Sequence, residues 1–183
     1  MGANCGIILS MIKRLLPTYY ASSIYDIDPS FYKKIGVKVI LSDLDNTLDT
    51  VKTKQPSGRA VELVRKLKRE GFEVYIVSNN SSTRVQTYAK LLSIGVASFM
   101  RKPLSGPLKG FLKEKGIDPK EAILIGDQLL TDVGAGNGAG VRTILCHPLS
   151  KIDPPWTRLN RILERKMRIK INRKHLLPCW REI

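Results

Sequence analysis

Val39-Ile-Leu-Ser-Asp43-Leu-Asp45-Asn-Thr47-Leu48 joins an apolar run to two acidic residues and a hydroxyl. The aliphatic run predicts a buried strand, and the residues after it predict a turn at the carboxyl end of that strand, where open α/β folds bind their ligands. Two carboxylates this close repel each other unless a cation lies between them, and hard oxygen ligands favour Mg²⁺. The stretch therefore predicts a magnesium site at the edge of a parallel sheet.

Three further apolar runs end at acidic, serine or glycine residues and predict strands over 72–77, 122–125 and 141–146. Helical patterns separate them: the first opens at Pro56 and stops at Gly71, and others cover 83–93 and 104–115. The stretch 81–101 also has room for a short strand after its helix. This alternation predicts an α/β fold of three layers, with a doubly wound parallel sheet between helices, as in Rossmann-like proteins.

The length of 183 residues predicts one well-cored domain with terminal extensions. We place the domain at 37–150, preceded by an N-terminal extension over 1–36 that packs on the core and followed by a tail over 151–183, with Pro154-Pro155 at the second boundary. No apolar run approaches the roughly 20 residues that span a bilayer. The sequence leaves open whether Met1 or Met11 is the natural start, and it does not fix the oligomeric state.

The chain is strongly basic, with 31 Lys and Arg against 16 Asp and Glu and a formal charge of +15, which predicts attraction to polyanions. Ten of the basic residues and only three acidic ones fall in 151–183. From Trp156 to Lys170, apolar and arginine residues separate onto two faces of a helix. This pattern predicts an amphipathic basic helix that binds an anionic membrane through 156–174; the alternative is that the helix simply docks on the core.

The cysteines are Cys5, Cys146 and Cys179, an odd number without a C-x-x-C motif. They indicate neither a disulfide framework nor a zinc site and favour a reducing cytoplasm. We therefore expect a cytoplasmic protein that binds peripherally to the inner face of the membrane.

Residues suited to phosphoryl transfer follow the successive strands. They are Asp43, Asp45, Thr47, Ser78, Asn79, Lys102, Asp127 and Asp132. Asp43 is the first residue past its strand and is the candidate nucleophile, which would form an aspartyl phosphate. Asp45 lies two residues on, on the same side of an extended chain, and is the candidate acid and base.

The remaining residues have the chemistry to hold a phosphate and a cation. Ser78 and Asn79 offer a hydroxyl and N–H groups, Thr47 a second hydroxyl, and Lys102 a positive charge that offsets charge on the transferring group. Asp127 lies in a tight turn suited to Mg²⁺, and Asp132 would orient or complete the metal shell. The candidate metal ligands are therefore Asp43, Asp45, Asp127 and Asp132.

In this order the residues resemble the four motifs of the haloacid dehalogenase superfamily. Motif one is similar to Asp43-Leu-Asp45-Asn-Thr47, motif two to Ser78, motif three to Lys102, and motif four to Gly126-Asp127 with Asp132. The resemblance implies that Asp43 and Asp127 bind Mg²⁺ through side chains and Asp45 through its backbone carbonyl. It also implies a phosphatase or phosphotransferase, because residue 45 is Asp.

Finer features resemble subfamily IIIA and its YqeG-type members, which include phosphatidylglycerophosphate phosphatases. They are Pro17-Thr-Tyr-Tyr, Ser23-Ile-Tyr-Asp26-Ile-Asp28 and Gly126-Asp-Gln-Leu-Leu-Thr-Asp132. Neither place where such enzymes carry a cap domain has room for one, so the resemblance implies an open site. This implies a Mg²⁺-dependent phosphomonoesterase that acts on a lipid head group, with phosphatidylglycerophosphate as the expected substrate.

Two alternatives remain open from the sequence. The basic surface and open site also suit another macromolecular phosphate, such as a nucleic-acid end or a phosphoprotein. The second alternative is a basic RNA-binding or ribosome-binding module without catalysis.

Overall fold

A computed structural model of the protein describes residues 15–80, 82–150, 164 and 178–183. Within them lies a six-stranded parallel sheet of order β1-β6-β5-β2-β3-β4. Its strands are β1 (Tyr19–Ala21), β2 (Val39–Ser42), β3 (Glu73–Val77), β4 (Gly95–Ala97), β5 (Ala122–Gly126) and β6 (Arg142–Cys146). The doubly wound parallel sheet predicted from the sequence is confirmed.

Five α-helices are described: α1 (Pro29–Lys34), α2 (Gly58–Arg69), α3 (Thr83–Leu92), α4 (Gly106–Glu114) and α5 (Gly134–Ala139). Short 3₁₀ turns cover Ile24–Asp26, Pro119–Glu121 and Trp180–Glu182, and a π-helical turn covers Leu129–Val133. N-capping side chains explain where two of these helices begin. Asp28 accepts a hydrogen bond from the Ser30 N–H at the head of α1, and Ser57 does the same for Ala60 in α2.

The sheet buries apolar residues on both faces, as expected of parallel strands covered by helices. One face packs against α1, α2 and α3 and contains Ile40, Ile76 and Ile125. The other packs against α4 and α5 and contains Leu41 and Leu124. The expected three layers are therefore present.

Edge strand β1 was not predicted from the sequence. It has only three residues, and its register is set by β6, with Tyr19 opposite Ile144. Hydrogen bonds between Thr18 and Thr143 close the start of this pair at 3.0 and 3.2 Å. The described part of the chain before residue 37 therefore adds β1 and α1 to the core, and the boundary at 37 itself stays a prediction.

The predicted amphipathic helix over 156–170 falls outside the described residues except for Glu164. Glu164 is helical and buried, and its Oε1 accepts a hydrogen bond of 2.8 Å from the Leu130 N–H. Further on, the Tyr20 N–H donates to the Pro178 carbonyl at 3.0 Å, and the Trp180 ring lies 5.7 Å from the Phe31 ring. These last residues therefore dock beside β1. Among the described helices, none is long and apolar enough to cross a bilayer.

The strand order reverses direction at β2. From β2 the chain proceeds to β3 and β4 on one side, then crosses to β5 and β6 on the other. Loops leaving β2 and β5 separate in opposite directions and open a crevice at the carboxyl edge, which is where open α/β sheets bind ligands. Asp43 follows β2 and Asp127 follows β5, so both residues lie at this reversal.

Candidate active site

Lys102 lies at the centre of the crevice and is buried with its charge. Its Nζ is 2.7 Å from Asp43 Oδ1, 2.6 Å from Asp132 Oδ1 and 3.0 Å from the Val77 carbonyl oxygen. An ammonium has three hydrogens to donate, and these three acceptors use all of them. Lys102 therefore ties the ends of β2 and β3 to the turn after β5.

Asp132 is held in place from two further sides. Its Oδ2 accepts a 3.0 Å hydrogen bond from the Gln128 N–H within the π-helical turn, a feature frequent at functional sites. A Cβ added to Gly126 would come within 2.3 Å of the Asp132 carboxylate. Glycine at 126 is therefore what lets that carboxylate reach Lys102.

Asp127 completes a cluster of three buried carboxylates with Asp43 and Asp132. One oxygen from each lies within 4.8 Å of the others, a grouping that can hold a metal ion. Asp127 also accepts a hydrogen bond from the Thr47 hydroxyl at 3.3 Å. The structure thus brings five predicted site residues together: Asp43, Thr47, Lys102, Asp127 and Asp132.

Burial raises the pKa of Asp43 well above its ordinary value; Lys102 opposes this rise, and Asp132 and Asp127 add to it. Burial alone would lower the pKa of Lys102, but the Asp132 and Asp43 carboxylates raise it above its ordinary value. The ammonium is therefore held charged, and Asp43 needs more positive charge beside it to stay ionised.

The donor set fits a divalent cation. With all three carboxylates ionised, the single ammonium would leave two negative charges uncompensated in a buried site. Carboxylate oxygens are the ligands that hard divalent cations prefer in proteins. A cation of charge two would neutralise the excess, so the residues present match such an ion in both charge and ligand type.

Asp45 lies apart from this cluster, toward solvent, with 27% of its side chain exposed. Its Oδ1 accepts a hydrogen bond from the Arg84 guanidinium. Arg84 also donates to the Thr53 carbonyl at 3.0 Å, so one side chain joins the start of α3 to the loop after β2. Asp45 is thus held at the rim of the crevice.

Asn79 contacts Lys102 through the backbone. Its Nδ2 donates to the Lys102 carbonyl at 3.0 Å, and its Oδ1 accepts from the Lys102 N–H at 2.6 Å. Ser78 is buried at the end of β3, where its hydroxyl oxygen accepts from the Asn80 N–H at 3.1 Å. Phosphate binding by Ser78 and Asn79 stays a prediction, while the amide of Asn79 has a visible part in positioning Lys102.

Two residues near the site were not singled out as functional from the sequence. Arg84 is the second residue of α3, and a basic residue there, soon after Ser78-Asn79, was the available signal. Asp49 Oδ2 accepts from the Tyr88 hydroxyl at 2.6 Å and from the Ser57 N–H at 2.9 Å, which anchors the loop after β2. Neither partnership follows from spacing, because both join residues that are far apart in the chain or separated by an irregular loop.

A family model described as a haloacid dehalogenase-like hydrolase matches residues 27–140, which include this whole constellation. The chain belongs to this hydrolase family. It is 36% identical over 173 residues to the probable phosphatase YqeG of Bacillus subtilis strain 168, covering 94% of this chain and 100% of that protein. This member of the haloacid dehalogenase-like family is therefore a phosphatase.

A more distant relative is the chloroplastic/mitochondrial phosphatidylglycerophosphate phosphatase 1 of Arabidopsis thaliana, 26% identical over 176 residues. The match covers 90% of this chain and 50% of that protein, so the chain spans about half of the plant enzyme. Among solved structures, the deoxy-D-mannose-octulosonate 8-phosphate phosphatase of Haemophilus influenzae is similar, with a TM-score of 0.51 and 17% sequence identity. The match covers 62% of this chain and 70% of the Haemophilus protein, and it supports the α/β fold described above.

Proposed function

We propose that this phosphatase is a Mg²⁺-dependent phosphomonoesterase that acts through an aspartyl phosphate on Asp43 and removes the terminal phosphate of phosphatidylglycerophosphate at a membrane surface. The observation that carries the chemistry is the Lys102 ammonium, which lies 2.7 Å from Asp43 and 2.6 Å from Asp132 in a buried carboxylate cluster. A nucleophile, a fixed positive charge and a ligand set for a cation therefore share one crevice.

In the first step an Asp43 carboxylate oxygen attacks phosphorus, and the bond from phosphorus to the ester oxygen breaks. Protonated Asp45 gives its proton to that oxygen, so the alcohol leaves neutral. In the second step Asp45 accepts a proton from water as the water oxygen attacks phosphorus. The bond to Asp43 then breaks, which restores the carboxylate and releases inorganic phosphate.

The other side chains support these two displacements. Lys102 offsets the negative charge that develops on the transferring phosphoryl group, and its three hydrogen bonds fix its position before substrate arrives. Arg84 holds the Asp45 carboxylate toward the mouth of the crevice, where a leaving oxygen would emerge. Asn79 fixes the backbone of Lys102, and Ser78 and Thr47 supply hydroxyls close to the phosphate position.

Asp43 and Asp127 would hold Mg²⁺ through their side chains and Asp45 through its backbone carbonyl, with Asp132 orienting the shell. When bound, the ion supplies the positive charge that keeps Asp43 ionised and screens the phosphate from the carboxylates. The charge balance of the buried cluster supports this assignment.

Three observations support a lipid substrate. The segment between β2 and β3 contains a loop and α2, and the segment between β3 and Lys102 contains α3 and β4, so the described part of both segments holds no cap domain. An uncapped site suits a phosphate presented on a large surface. The plant relative is named for phosphatidylglycerophosphate, and the basic segment 156–174 would attract anionic lipid, at about 1 kcal/mol per basic residue.

The test is phosphate release from phosphatidylglycerophosphate in mixed micelles, with soluble sugar and nucleotide phosphates as comparators. Wild type with Mg²⁺ is expected to prefer the lipid. Asp43→Asn is expected to lose on the order of 10⁴-fold in turnover, because an amide is no nucleophile toward phosphorus, and chelation of Mg²⁺ is expected to abolish turnover of every substrate.

Unfolding curves for Asp43→Asn provide the control, since the variant keeps Asp132 as a partner for Lys102. Turnover of soluble phosphates alone would preserve the chemistry and refute the lipid assignment. Preference for a nucleic-acid end or a phosphoprotein would favour another macromolecular phosphate. Full activity of Asp43→Asn would refute the aspartyl phosphate.

A further inference from the structure

The loop 98–105, which joins β4 to α4 and carries Lys102, alternates between inward and outward side chains. Met100 and Lys102 are buried, at 7% exposure each. Phe99 and Leu104 point outward and are 63% and 60% exposed, and Arg101 is also exposed. Among the described residues, the large exposed apolar side chains are Leu91, Phe99, Leu104 and Ile183. Two of these four therefore flank the lysine of the active site.

The backbone fixes this outward presentation. Phe99 and Arg101 have φ values of +55° and +47°, a left-handed conformation that is uncommon for residues other than glycine and carries strain. Met100 between them donates its N–H to the Ser78 carbonyl at 3.2 Å and packs in the core beside Val77. The buried neighbours thus hold Phe99 and Arg101 out toward solvent at the carboxyl edge of the sheet.

The exposed charges on two loops at this edge are positive. Residues 98–105 and the loop 50–57, which follows β2 at the same edge, contain four basic residues and no acidic one. Lys52, Lys54 and Arg101 of this set are exposed. Asp45, a partly exposed acidic residue at the rim, is paired with Arg84. The mouth of the crevice therefore presents apolar side chains within a basic surround.

We propose that Phe99, Arg101 and Leu104 form a lip that docks the mouth of the active site directly on an anionic phospholipid bilayer. The two apolar side chains enter the interface, and Arg101 with the nearby lysines contacts lipid phosphates. This assignment deepens the proposed function and rests on it for the substrate. It differs from recruitment by the basic segment 156–174, because the lip also orients the crevice toward the membrane.

A bilayer fits the lip better than an acidic protein or RNA does. Aliphatic and aromatic side chains beside basic ones match a surface that offers acyl chains and phosphates at adjacent depths. The lip residues also flank the buried Lys102 along the loop, so a membrane that covers the lip lies next to the active site and can supply the lipid phosphate. A phospholipid carries both the acyl chains and the phosphate in a single molecule.

The chain provides a matched control at the opposite edge. Leu91, 56% exposed, lies at the C-terminal end of α3 beside a cavity of about 420 Å³ that is lined by Arg65, Lys68 and Arg69. This surface is also apolar and basic, but it faces away from the crevice. A role specific to the lip predicts that Phe99→Ser/Leu104→Ser weakens vesicle binding and Leu91→Ser does not, whereas non-specific adsorption through any exposed apolar side chain predicts that both variants bind more weakly.

The first experiment measures sedimentation with phosphatidylcholine vesicles that contain or lack phosphatidylglycerol, on the full chain. The double variant Phe99→Ser/Leu104→Ser is expected to bind anionic vesicles at least tenfold more weakly than wild type and to hydrolyse vesicle-borne phosphatidylglycerophosphate at least tenfold more slowly. Its turnover of a soluble aryl phosphate should stay within about twofold, because the two substitutions leave Asp43, Asp45 and Lys102 in place. Leu91→Ser should match wild type in all three assays.

The second measurement locates the contact. In a background with Cys5→Ser and Cys179→Ser, an environment-sensitive fluorophore is attached at Phe99→Cys or at Leu91→Cys; the remaining Cys146 is buried. A blue shift on anionic vesicles at position 99 and none at position 91 is the expected result.

Equal vesicle binding by wild type and the double variant, or equal blue shifts at both positions, would overturn the lip. Binding of RNA in place of anionic vesicles would also overturn it. Failure of the proposed substrate gives a different result: vesicle binding still depends on Phe99 and Leu104, but wild type leaves phosphatidylglycerophosphate intact and hydrolyses another phosphate.

Discussion

The two edges of the parallel sheet differ in which residue types adopt the left-handed backbone conformation. At the amino edge, left-handed positions follow the helices, and glycine occupies four of these five turns: Gly36, Gly71, Gly116 and Gly140, with Ser93 as the fifth residue. At the carboxyl edge, the left-handed residues are Asn46, Phe99 and Arg101. Glycine thus avoids backbone strain in most of the turns at the amino edge. At the carboxyl edge, residues with side chains adopt the same conformation and accept its cost in strain.

Ion pairs show the same contrast. Lys33–Glu70 and Lys38–Glu121 at the amino edge are exposed pairs, and such pairs contribute little because water and salt screen them. Lys102 at the carboxyl edge is only 3% exposed in its side chain and contacts two buried carboxylates. The buried cluster holds charges that can act on a substrate, and its stability depends on every member being present.

The largest expected effect separates these two kinds of lysine. Lys102→Met leaves Asp43 and Asp132 facing each other without an ammonium, so we expect a loss of roughly 3–5 kcal/mol in the free energy of unfolding. Turnover should fall by about 10³-fold, since the charge that offsets the transferring group is gone. Denaturant unfolding and aryl phosphate hydrolysis measure the two effects.

Lys33→Met is the matched control and should change neither quantity measurably, because its partner Glu70 is exposed. Equal destabilisation by the two substitutions would contradict the distinction between the edges.

A smaller loss of turnover is expected from substitution of Gly126, which lies against the active-site carboxylate, and none from substitution of Gly116, which lies in a turn at the other edge. Gly126→Ala places a Cβ within 2.3 Å of the Asp132 carboxylate and should push it away from Lys102, with a loss of about 10²-fold in turnover. Gly116→Ala meets no atom within 4 Å, but its φ is +65°, so it should cost about 1 kcal/mol of stability and leave turnover intact. Kinetics and thermal unfolding on both variants test this. An active Gly126→Ala enzyme would show that Asp132 has room to move.

The smallest effect tests Arg84 as a positioning residue. Arg84→Ala frees the Asp45 carboxylate, and we expect kcat to fall about tenfold with little change in KM, because proton transfer rather than substrate binding is disturbed. Arg84→Lys should recover part of the loss. The effect should also shrink for an aryl phosphate whose leaving group needs no proton. A fall confined to KM would instead indicate that Arg84 binds substrate.

Much of the architecture was accessible from patterns along the chain. The apolar run before Asp43 and the helical spacing that ends at Gly71 each depend on residues close in sequence. The bounds of β2 and α2 were therefore predicted to within a few residues. Strand β1 was missed because three residues carry little pattern, and pairing with β6 makes them a strand. The predicted helix over 156–170 falls outside the described residues except for Glu164, so its membrane role stays a prediction.

Some features of the active site were also predictable from the sequence, and others were not. The order of Asp43, Ser78, Lys102 and Asp127 was visible in the sequence. Asp43, Ser78 and Asp127 are each the first residue after a strand and so reach the carboxyl edge, and Lys102 lies in the loop that follows β4 at the same edge. The pairing of Asp45 with Arg84 and the support of Lys102 by Asn79 were not visible, because they join side chains from different loops.

The sequence by itself therefore determined which chemical groups reach the carboxyl edge, because strand ends and their spacing are properties of local pattern. Only the tertiary structure decided which groups touch: that Lys102 lies between Asp43 and Asp132, that Asp45 turns to Arg84, and that Phe99 and Leu104 stand outside the crevice. Those contacts depend on the order of strands in the sheet and on packing between distant segments, which no short stretch of chain encodes.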